Sequence, residues 1–296
     1  MHFAIRYLTE YRYGGAVSDN LNALRVRPAT TSSQRCDEFH TRIDPEARVS
    51  RHLDYFGTEV LEFGVPTDHD RLTIDVRARV VTSEPPSPPE GSWASLRSRA
   101  YEDAAGEFGL PWHDQPAIEG LDELARALDA PTPLAAVQRL CELVPDRFDY
   151  RPGVTYVGST VADLLRAGAG VCQDFVHLSL VLLRRCGIAA RYVSGYLWAA
   201  PADGSSDSVE VDTHAWLEVL LPGDPLQPSR GEPVWVGADP TNRRLAGDTH
   251  VKIGHGRFYA DVPPVKGLFR GPPLATSQLN VAVSMSRLDP QAGARA

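Results

Sequence analysis

The chain has 296 residues, of which 43% are hydrophobic and 23% are charged, and its formal net charge is -8 at pH 7. This balance is typical of one or two ordinary folded domains and excludes a disordered chain, which has fewer apolar residues and more charge. The acidic charge gives no overall attraction to nucleic acid or to an anionic membrane, so we expect neither as a partner. The oligomeric state stays unknown at this level.

No targeting or membrane signal is visible in the sequence. The first residues, MHFAIRYLTEYRYGG, lack the apolar run of a signal peptide, and the longest apolar stretch, 178–183, is too short to cross a bilayer. The four cysteines include no CxxC pair, so neither a disulfide framework nor a zinc site is expected. We therefore predict a cytoplasmic protein that uses no metal and no cofactor.

The N-terminal part, residues 1–82, is predicted to form a small β-sandwich domain. Residues 72–80 alternate between apolar and polar side chains, which is the pattern of a half-buried strand, and shorter runs of this kind precede them between turn signals. Residues 83–92, SEPPSPPEGS, contain four prolines and are predicted to be a linker.

The remainder of the chain is predicted to contain a helical segment and a mixed core. Residues 93–145 form helical pieces joined to a core at 146–270, and 271–296 form a strand, expected to return to the first sheet, and a frayed tail. The predicted core elements are a short helix at 161–166, an apolar helix from 172 to 187, and strands at 189–198, 214–221 and 234–238.

Cys172 lies in the first turn of the apolar helix, in the segment GVCQDFVHL. A cysteine attacks as its thiolate, and unpaired N–H groups and the positive end of a helix attract that anion. Gly170 lets a substrate backbone approach closely. A small buried thiol is the alternative for this segment taken alone. Asp174, in the same turn, opposes a thiolate unless it points away and caps the helix, and we expect the capping role.

Amide chemistry by a thiolate also needs a histidine that protonates the leaving amine and a third group that orients it. Among nine histidines, His214 is the best placed, because it begins a predicted strand beside an acidic loop. Asp239 ends the next strand before a proline, and it can accept from one imidazole nitrogen if the two strands are adjacent. Taken singly, an exposed histidine and a turn-forming aspartate are the plain alternatives. Together the three residues predict a Cys–His–Asp triad.

The segments GVCQDFVHL, RYVSGYL, HAWLEV and WVGADPTN, in this order, resemble the transglutaminase-like superfamily, specifically its bacterial members with an added N-terminal β-domain. The resemblance covers residues 146–262 closely and the first 80 more loosely. It implies an α+β fold, with a papain-like core in which a nucleophile helix packs on an antiparallel sheet. It also implies that Cys172 is the nucleophile, His214 the general acid/base and Asp239 the orienting carboxylate.

The implied reaction forms a thioester from a carboxamide or peptide bond and then transfers the acyl group to an amine or to water. The substrate is a peptide, a protein or a small amide. Hydrolysis is slightly favoured, because the sequence lacks the calcium-binding carboxylates and the extra C-terminal β-domains of the animal crosslinking enzymes. The densest acidic stretch, Asp203 to Asp212, is predicted to be a solvated loop, so activity should not depend on calcium. The alternative function is a catalytically silent binding or scaffold module.

Further candidates accompany the triad. The backbone N–H of Cys172 is expected to be one oxyanion donor, and the candidates for the second are Tyr156, Gln173 and Trp216. Candidates for lining a substrate groove are Tyr196, Trp198 and Tyr259, although aromatic residues in strands more often only pack. Residues expected to be structural are His177, Cys36, Cys141 and Cys186. His250 and His255 lack a third metal ligand at a suitable spacing.

Overall fold

The computed structural model describes residues 1–110, 118–200, 209–211, 213–223, 231–272 and 276–288. Asp203, Asp207 and Asp212 of the predicted acidic loop lie outside the described residues. The helices are α1 (Arg99–Ala105), α2 (Leu121–Arg126), α3 (Pro133–Arg147), α4 (Val161–Ala167) and α5 (Cys172–Arg185). The strands are β1 (His2–Leu24), β2 (Gln34–Asp44), β3 (Ser50–Leu53), β4 (Glu59–Val65), β5 (His69–Thr82), β6 (Asp149–Tyr150), β7 (Ala169–Gly170), β8 (Ala190–Leu197), β9 (Val209–Val211), β10 (Thr213–Leu221), β11 (Val234–Asp239), β12 (Arg244–Leu245), β13 (His250–Gly256), β14 (Val265–Arg270) and β15 (Ser277–Arg287).

The N-terminal domain is built around β1, a strand of 23 residues. Its first half pairs antiparallel with β5 and β15, and its second half pairs with β4 and β14. Alternate side chains such as Phe3, Ile5 and Tyr7 point inward, as the period-2 pattern requires. They share one hydrophobic core with Leu24 and Phe63 of the other half, so the eight strands form a single sheet domain.

The domain includes strands from the far end of the chain. β15 lies beside β1, with Tyr7 opposite Val283, so the C-terminal strand does return to the first sheet. Residues 265–270, which the sequence analysis assigns to the core, instead pair with β1, and Leu24 lies opposite Val265. Strand partners are decided by long-range packing, and the linear order of the sequence contains no signal for this pairing.

The core places α5 against an antiparallel sheet of five strands in the order β12-β11-β10-β8-β13. Nearly every side of α5 is buried, because α2, α3 and α4 cover the faces that the sheet leaves open. From β10, Ala215, Leu217 and Val219 pack toward this helix. β10 and β11 are adjacent, with Leu217 opposite Ala238, which is the adjacency that the predicted triad requires. The α+β prediction with a helix on an antiparallel sheet is confirmed.

None of the described helices is long and apolar enough to cross a membrane.

Candidate functional site

The beginning of α5 is held in place by Asp174. Cys172 is the first residue of the helix, and the Asp174 carboxylate accepts from the backbone N–H of Val171 at 2.9 Å and from the Thr155 hydroxyl at 2.6 Å. Asp174 is therefore the helix cap that the sequence predicts. At Gly170 a Cβ would lie within 2.9 Å of the Asp174 side chain, so this position accepts only glycine. Asp174 and Gly170 together fix the point at which the chain enters the helix, and they thereby fix the position of the Cys172 thiol.

His214 lies at the start of β10 with its side chain only 10% exposed. Its Nε2 is 2.8 Å from the Asp239 Oδ2, which leaves Nδ1 free to face the thiol of Cys172. Burial by itself lowers the pKa of His214, but hydrogen bonding and charge interaction with Asp239 and Cys172 outweigh it and raise the pKa to about 9. The imidazole is therefore stabilised in its protonated form beside the sulfur.

Asp239 is completely buried at the end of β11. Its carboxylate is bound by His214, by His250 Nε2 at 3.1 Å, and by Asn242 through the backbone N–H at 3.2 Å and the side-chain amide at 2.7 Å. Burial favours the neutral acid, yet these hydrogen bonds, His214 first, hold the pKa of Asp239 well below its usual range. A buried carboxylate with this many donors stays ionised and stays fixed.

The histidine that binds Asp239 from the other side, His250, was not predicted to belong to the site. It begins β13, and its Nδ1 accepts from the backbone N–H of Gly247 at 3.2 Å, so Nε2 carries the proton that is donated to Asp239. Burial lowers the pKa of His250, consistent with a neutral ring. His255, five residues further along β13, contacts Arg191 at 3.1 Å. The pairing of β13 with β8 at His250, a contact between distant segments, accompanies this placement of His250 beside Asp239.

Trp216 contacts both imidazoles. Its ring is stacked on His214, with centroids 6.1 Å apart and an interplanar angle of 25°, and meets His250 edge-on at 5.3 Å. The indole is 2% exposed and lies across Gly195, where a Cβ would come within 2.4 Å of it. The absence of a side chain at Gly195 therefore permits the ring to lie where it restrains His214.

One cluster in the described part of the chain has the donor types and spacing for a metal ion. The ligating atoms of His214, Asp239 and His250 lie within 4.8 Å of one another. The same atoms are already joined by hydrogen bonds, and Asn242 adds further donors to Asp239. We therefore interpret the cluster as a proton-handling group, in which the carboxylate, rather than an ion, is the central partner of both imidazoles.

The remaining predicted residues are distributed differently. Gln173 and Tyr259 line a depression beside the start of α5, and Tyr156 lies on the preceding loop with 75% of its surface exposed. Tyr196 and Trp198 were predicted to line a substrate groove, and this is wrong for both. They are 1% and 7% exposed and pack into the core of the N-terminal domain, because β8 extends beneath that sheet.

The cysteines other than Cys172 are structural, as predicted. Cys141 is 2% exposed and belongs to the core around α5, and burial raises its pKa to about 12. Burial likewise raises the pKa of Cys36 and of Cys186. His177 is a neutral acceptor inside the fold, since burial lowers its pKa to about 4 and its Nε2 accepts from the backbone N–H of Tyr259. Of the four thiols, Cys172 is the one that lies beside a histidine and a carboxylate.

Comparison with known families agrees with this arrangement. Residues 122–240 match the model of the transglutaminase-like superfamily, and residues 3–81 match that of the bacterial transglutaminase-like N-terminal region. The chain belongs to the transglutaminase-like superfamily, among the bacterial members that carry this N-terminal region.

Several individual proteins are similar to the chain. An uncharacterized protein of Mycobacterium tuberculosis is 35% identical over 277 residues, which cover 90% of this chain and 87% of that protein. A protein-glutamine gamma-glutamyltransferase of Pseudomonas aeruginosa is 30% identical over 173 residues, 55% of this chain but 25% of that protein. A crystal structure from Cytophaga hutchinsonii, described as that of a candidate cysteine protease, shares the fold with a TM-score of 0.71 at 21% identity and covers 98% of this chain and 91% of that one.

Proposed function

We propose that the protein is a cysteine acyltransferase or amidohydrolase that acts on a carboxamide or peptide bond. The observation that carries the proposal is the 2.8 Å contact between His214 and Asp239, made beside the thiol at the start of α5. An imidazolium with a pKa of about 9 can stabilise a thiolate and later supply a proton. The names of the Pseudomonas transferase and the Cytophaga structure support the same class of reaction.

In the first half of the reaction, the Cys172 sulfur attacks the carbonyl carbon and a tetrahedral oxyanion forms. The backbone N–H of Cys172 is the proposed first donor to that oxygen, and Gln173, Tyr156 and Trp216 remain the candidates for the second. The carbon–nitrogen bond then breaks, and the leaving amine departs with the proton from His214. The product of this half is a thioester on Cys172.

In the second half, water or an amine attacks the thioester carbonyl. His214, now neutral, accepts the proton of the incoming nucleophile, the carbon–sulfur bond breaks, and the thiolate and imidazolium are restored. Asp239 supports the positive charge on the imidazole throughout and fixes its orientation. We favour water as the acceptor, as the sequence analysis does, and we place the reaction in the reducing cytoplasm, where the four free cysteines would stay reduced.

The test is intact-mass spectrometry of the protein after rapid quenching with a panel of amide and glutamine-containing peptide substrates. The expected result is a mass increase equal to the acyl group, located on Cys172 by digestion, and no adduct on Cys172→Ala. A panel that is neither consumed nor attached to the thiol, together with no reaction toward a cysteine-directed activity probe, would favour the silent binding module.

A further inference from the structure

Two depressions near the start of α5 share Tyr259 and Val265 in their linings. The larger, of about 510 Å³, is lined by Gln173, Tyr259 and Val265 among others. The smaller, of about 200 Å³, is lined by Thr213, the residue before His214, and again by Tyr259 and Val265. We call the two depressions together the Tyr259 groove. It runs from the neighbour of the proposed nucleophile to the neighbour of the proposed acid/base.

The N-terminal sheet builds one wall of this groove. Tyr7 and Tyr11 of β1 and Leu279 and Val281 of β15 line the smaller depression. Leu279 is 56% exposed and Val281 is 39% exposed, although both are apolar. Apolar side chains left at the surface beside a reactive site favour a binding role over a packing role.

The opposite end of the groove is also apolar. Val157 is 67% exposed on the loop before α4, and it lines the larger depression together with Val161 and Phe258. A pocket lined in this way favours apolar side chains on the substrate, and its few polar groups fix the substrate's orientation.

Lys266 provides the charge of the larger depression. Its side chain is exposed, and within the described part of the chain it makes no hydrogen bond and no ion pair. His177, in the same lining, is neutral because burial lowers its pKa to about 4. The depression therefore offers one positive charge to a ligand, and a carboxylate is the complementary group.

The strand that carries Lys266, β14, has one edge without a partner among the described strands. Among the described strands, β14 pairs with β1 alone, so the main-chain groups on its other side are available to an extended chain. We infer that the Tyr259 groove binds an extended peptide acyl donor, with apolar residues flanking the reacting carboxamide and an acidic side chain on Lys266. This inference rests on the proposed function for the chemistry, and it assigns the N-terminal domain a part in substrate binding.

The experiment reverses the charge of residue 266 and of one peptide residue, and it measures the affinity of each peptide directly. Two fluorescein-labelled peptides share an apolar–glutamine–apolar centre and differ in one flanking residue, glutamate or lysine. Each is titrated by fluorescence anisotropy against Cys172→Ala and against Cys172→Ala with Lys266→Glu. The control is Cys172→Ala with Arg99→Glu, which changes the net charge equally at a side chain 93% exposed on α1, outside the groove.

We expect the glutamate peptide to bind Cys172→Ala about threefold to tenfold more tightly than the lysine peptide, and we expect Lys266→Glu to reverse this order. An exposed pair of opposite charges strengthens binding modestly, and a pair of like charges weakens it modestly. A second variant, Val157→Asp, should weaken both peptides about fivefold, because it places a charge against an apolar substrate side chain. The inference is overturned if neither peptide binds, or if Lys266→Glu changes both affinities just as Arg99→Glu does.

The chemistry is measured separately on the protein with Cys172 intact. If Lys266→Glu reverses the order of the two peptide affinities but no thioester forms and no peptide is consumed, the peptide groove is supported and the proposed function fails. If small amides are consumed and the peptide pair shows no preference, the proposed function stands and the peptide groove is refuted.

Discussion

Two largely buried charged clusters each include one residue of β10, and the partners of their carboxylates differ. At the start of β10, His214 binds Asp239, the last residue of β11, and His250 of β13 binds the same carboxylate. Four residues after His214, Glu218 is bound by Arg191 at 2.7 Å and by Lys252 at 2.6 Å. We call them the imidazole cluster and the Glu218 cluster. Both hold a carboxylate in its ionised form.

The partners of the two carboxylates make the difference. Burial alone would raise the pKa of Glu218, but Lys252 and Arg191 lower it to about 2. The Arg191 guanidinium also lies 4.0 Å from the centre of the Trp235 ring, which keeps it in place. Arg191 lies on β8 and Lys252 on β13, so the Glu218 cluster is suited to joining β8, β10 and β13. Only the imidazole cluster can move a proton, and it alone lies beside a thiol.

The largest effects should come from the imidazole cluster and should concern activity alone. Cys172→Ala and His214→Ala should each reduce kcat/KM about 10⁴-fold or more, because the proposed nucleophile or its proposed proton donor is lost. Asp239→Asn should retain at least about tenfold more activity, since Trp216 still restrains the imidazole. Steady-state kinetics measures the loss, thermal unfolding checks the fold, and Cys36→Ala is the matched thiol control. Full turnover by folded Cys172→Ala or His214→Ala would place the chemistry elsewhere.

The Glu218 cluster should show the opposite result, a loss of stability with little change in kcat. Glu218→Gln leaves two largely buried cations, 13–14% exposed, without their anion, which should cost about 3 kcal/mol in the free energy of unfolding. The exposed ion pair of Glu142 with Arg243 gives a matched control, and Glu142→Gln should cost less than about 0.5 kcal/mol. Urea denaturation measures both. Equal stabilities of the two variants would contradict a structural role for Glu218.

The loss of stability caused by Glu218→Gln should depend on pH. The folded pKa of Glu218, about 2, lies below its ordinary value of 4.5, so its stabilising contribution is complete above about pH 4.5 and is lost as the pH falls toward 2. The stability difference between the parent and Glu218→Gln should therefore narrow in that window. Repeating the denaturation series from pH 6 to pH 2.5 tests this, and a difference that stays constant would show that the carboxylate is not ionised.

Thiol reactivity should separate the imidazole cluster from the rest of the molecule. The imidazolium of His214 persists up to about pH 9, so iodoacetamide should modify Cys172 about tenfold or more faster than any other cysteine from pH 6 to 8. Burial raises the pKa of the three other thiols. Peptide mapping after timed alkylation gives the four rates. His214→Ala should remove the advantage of Cys172, and uniform labelling of the parent would refute the activation.

The smallest effect should come from His250, a positioning residue that acts through Asp239. His250→Ala should lower kcat about tenfold with little change in KM, a typical result for the loss of a supporting hydrogen bond. Asp239 then interacts more strongly with His214, so the limb of the pH–rate profile that reports the ionisation of His214 should shift to higher pH. His250→Asn, which restores a donor, should recover most of the loss. Reduced stability with an unmoved pH profile would indicate a packing role alone.

The sequence predicts those parts of the site that are encoded locally. The helix around Cys172, its capping by Asp174 and the strand ends at His214 and Asp239 follow from periodicity and from short motifs. The position of His250 does not, because it depends on β13 pairing with β8, a contact between distant segments. The prediction that Tyr196 and Trp198 line a substrate groove is wrong for a related reason. Their strand pattern is compatible with two buried faces, and only the position of the N-terminal sheet decides which face is covered.

The pairing of β1 with β15 bears on how the protein is made. β1 precedes the core along the chain, whereas its partner, residues 277–287, follows the core and is synthesised after it. Until β15 emerges from the ribosome, the nascent N-terminal sheet therefore has one exposed hydrogen-bonding edge along β1, which invites pairing with other chains. The sheet can be completed only after the whole core has emerged. Emergence of β15, rather than completion of strands β1 to β5, is the point at which this edge becomes protected.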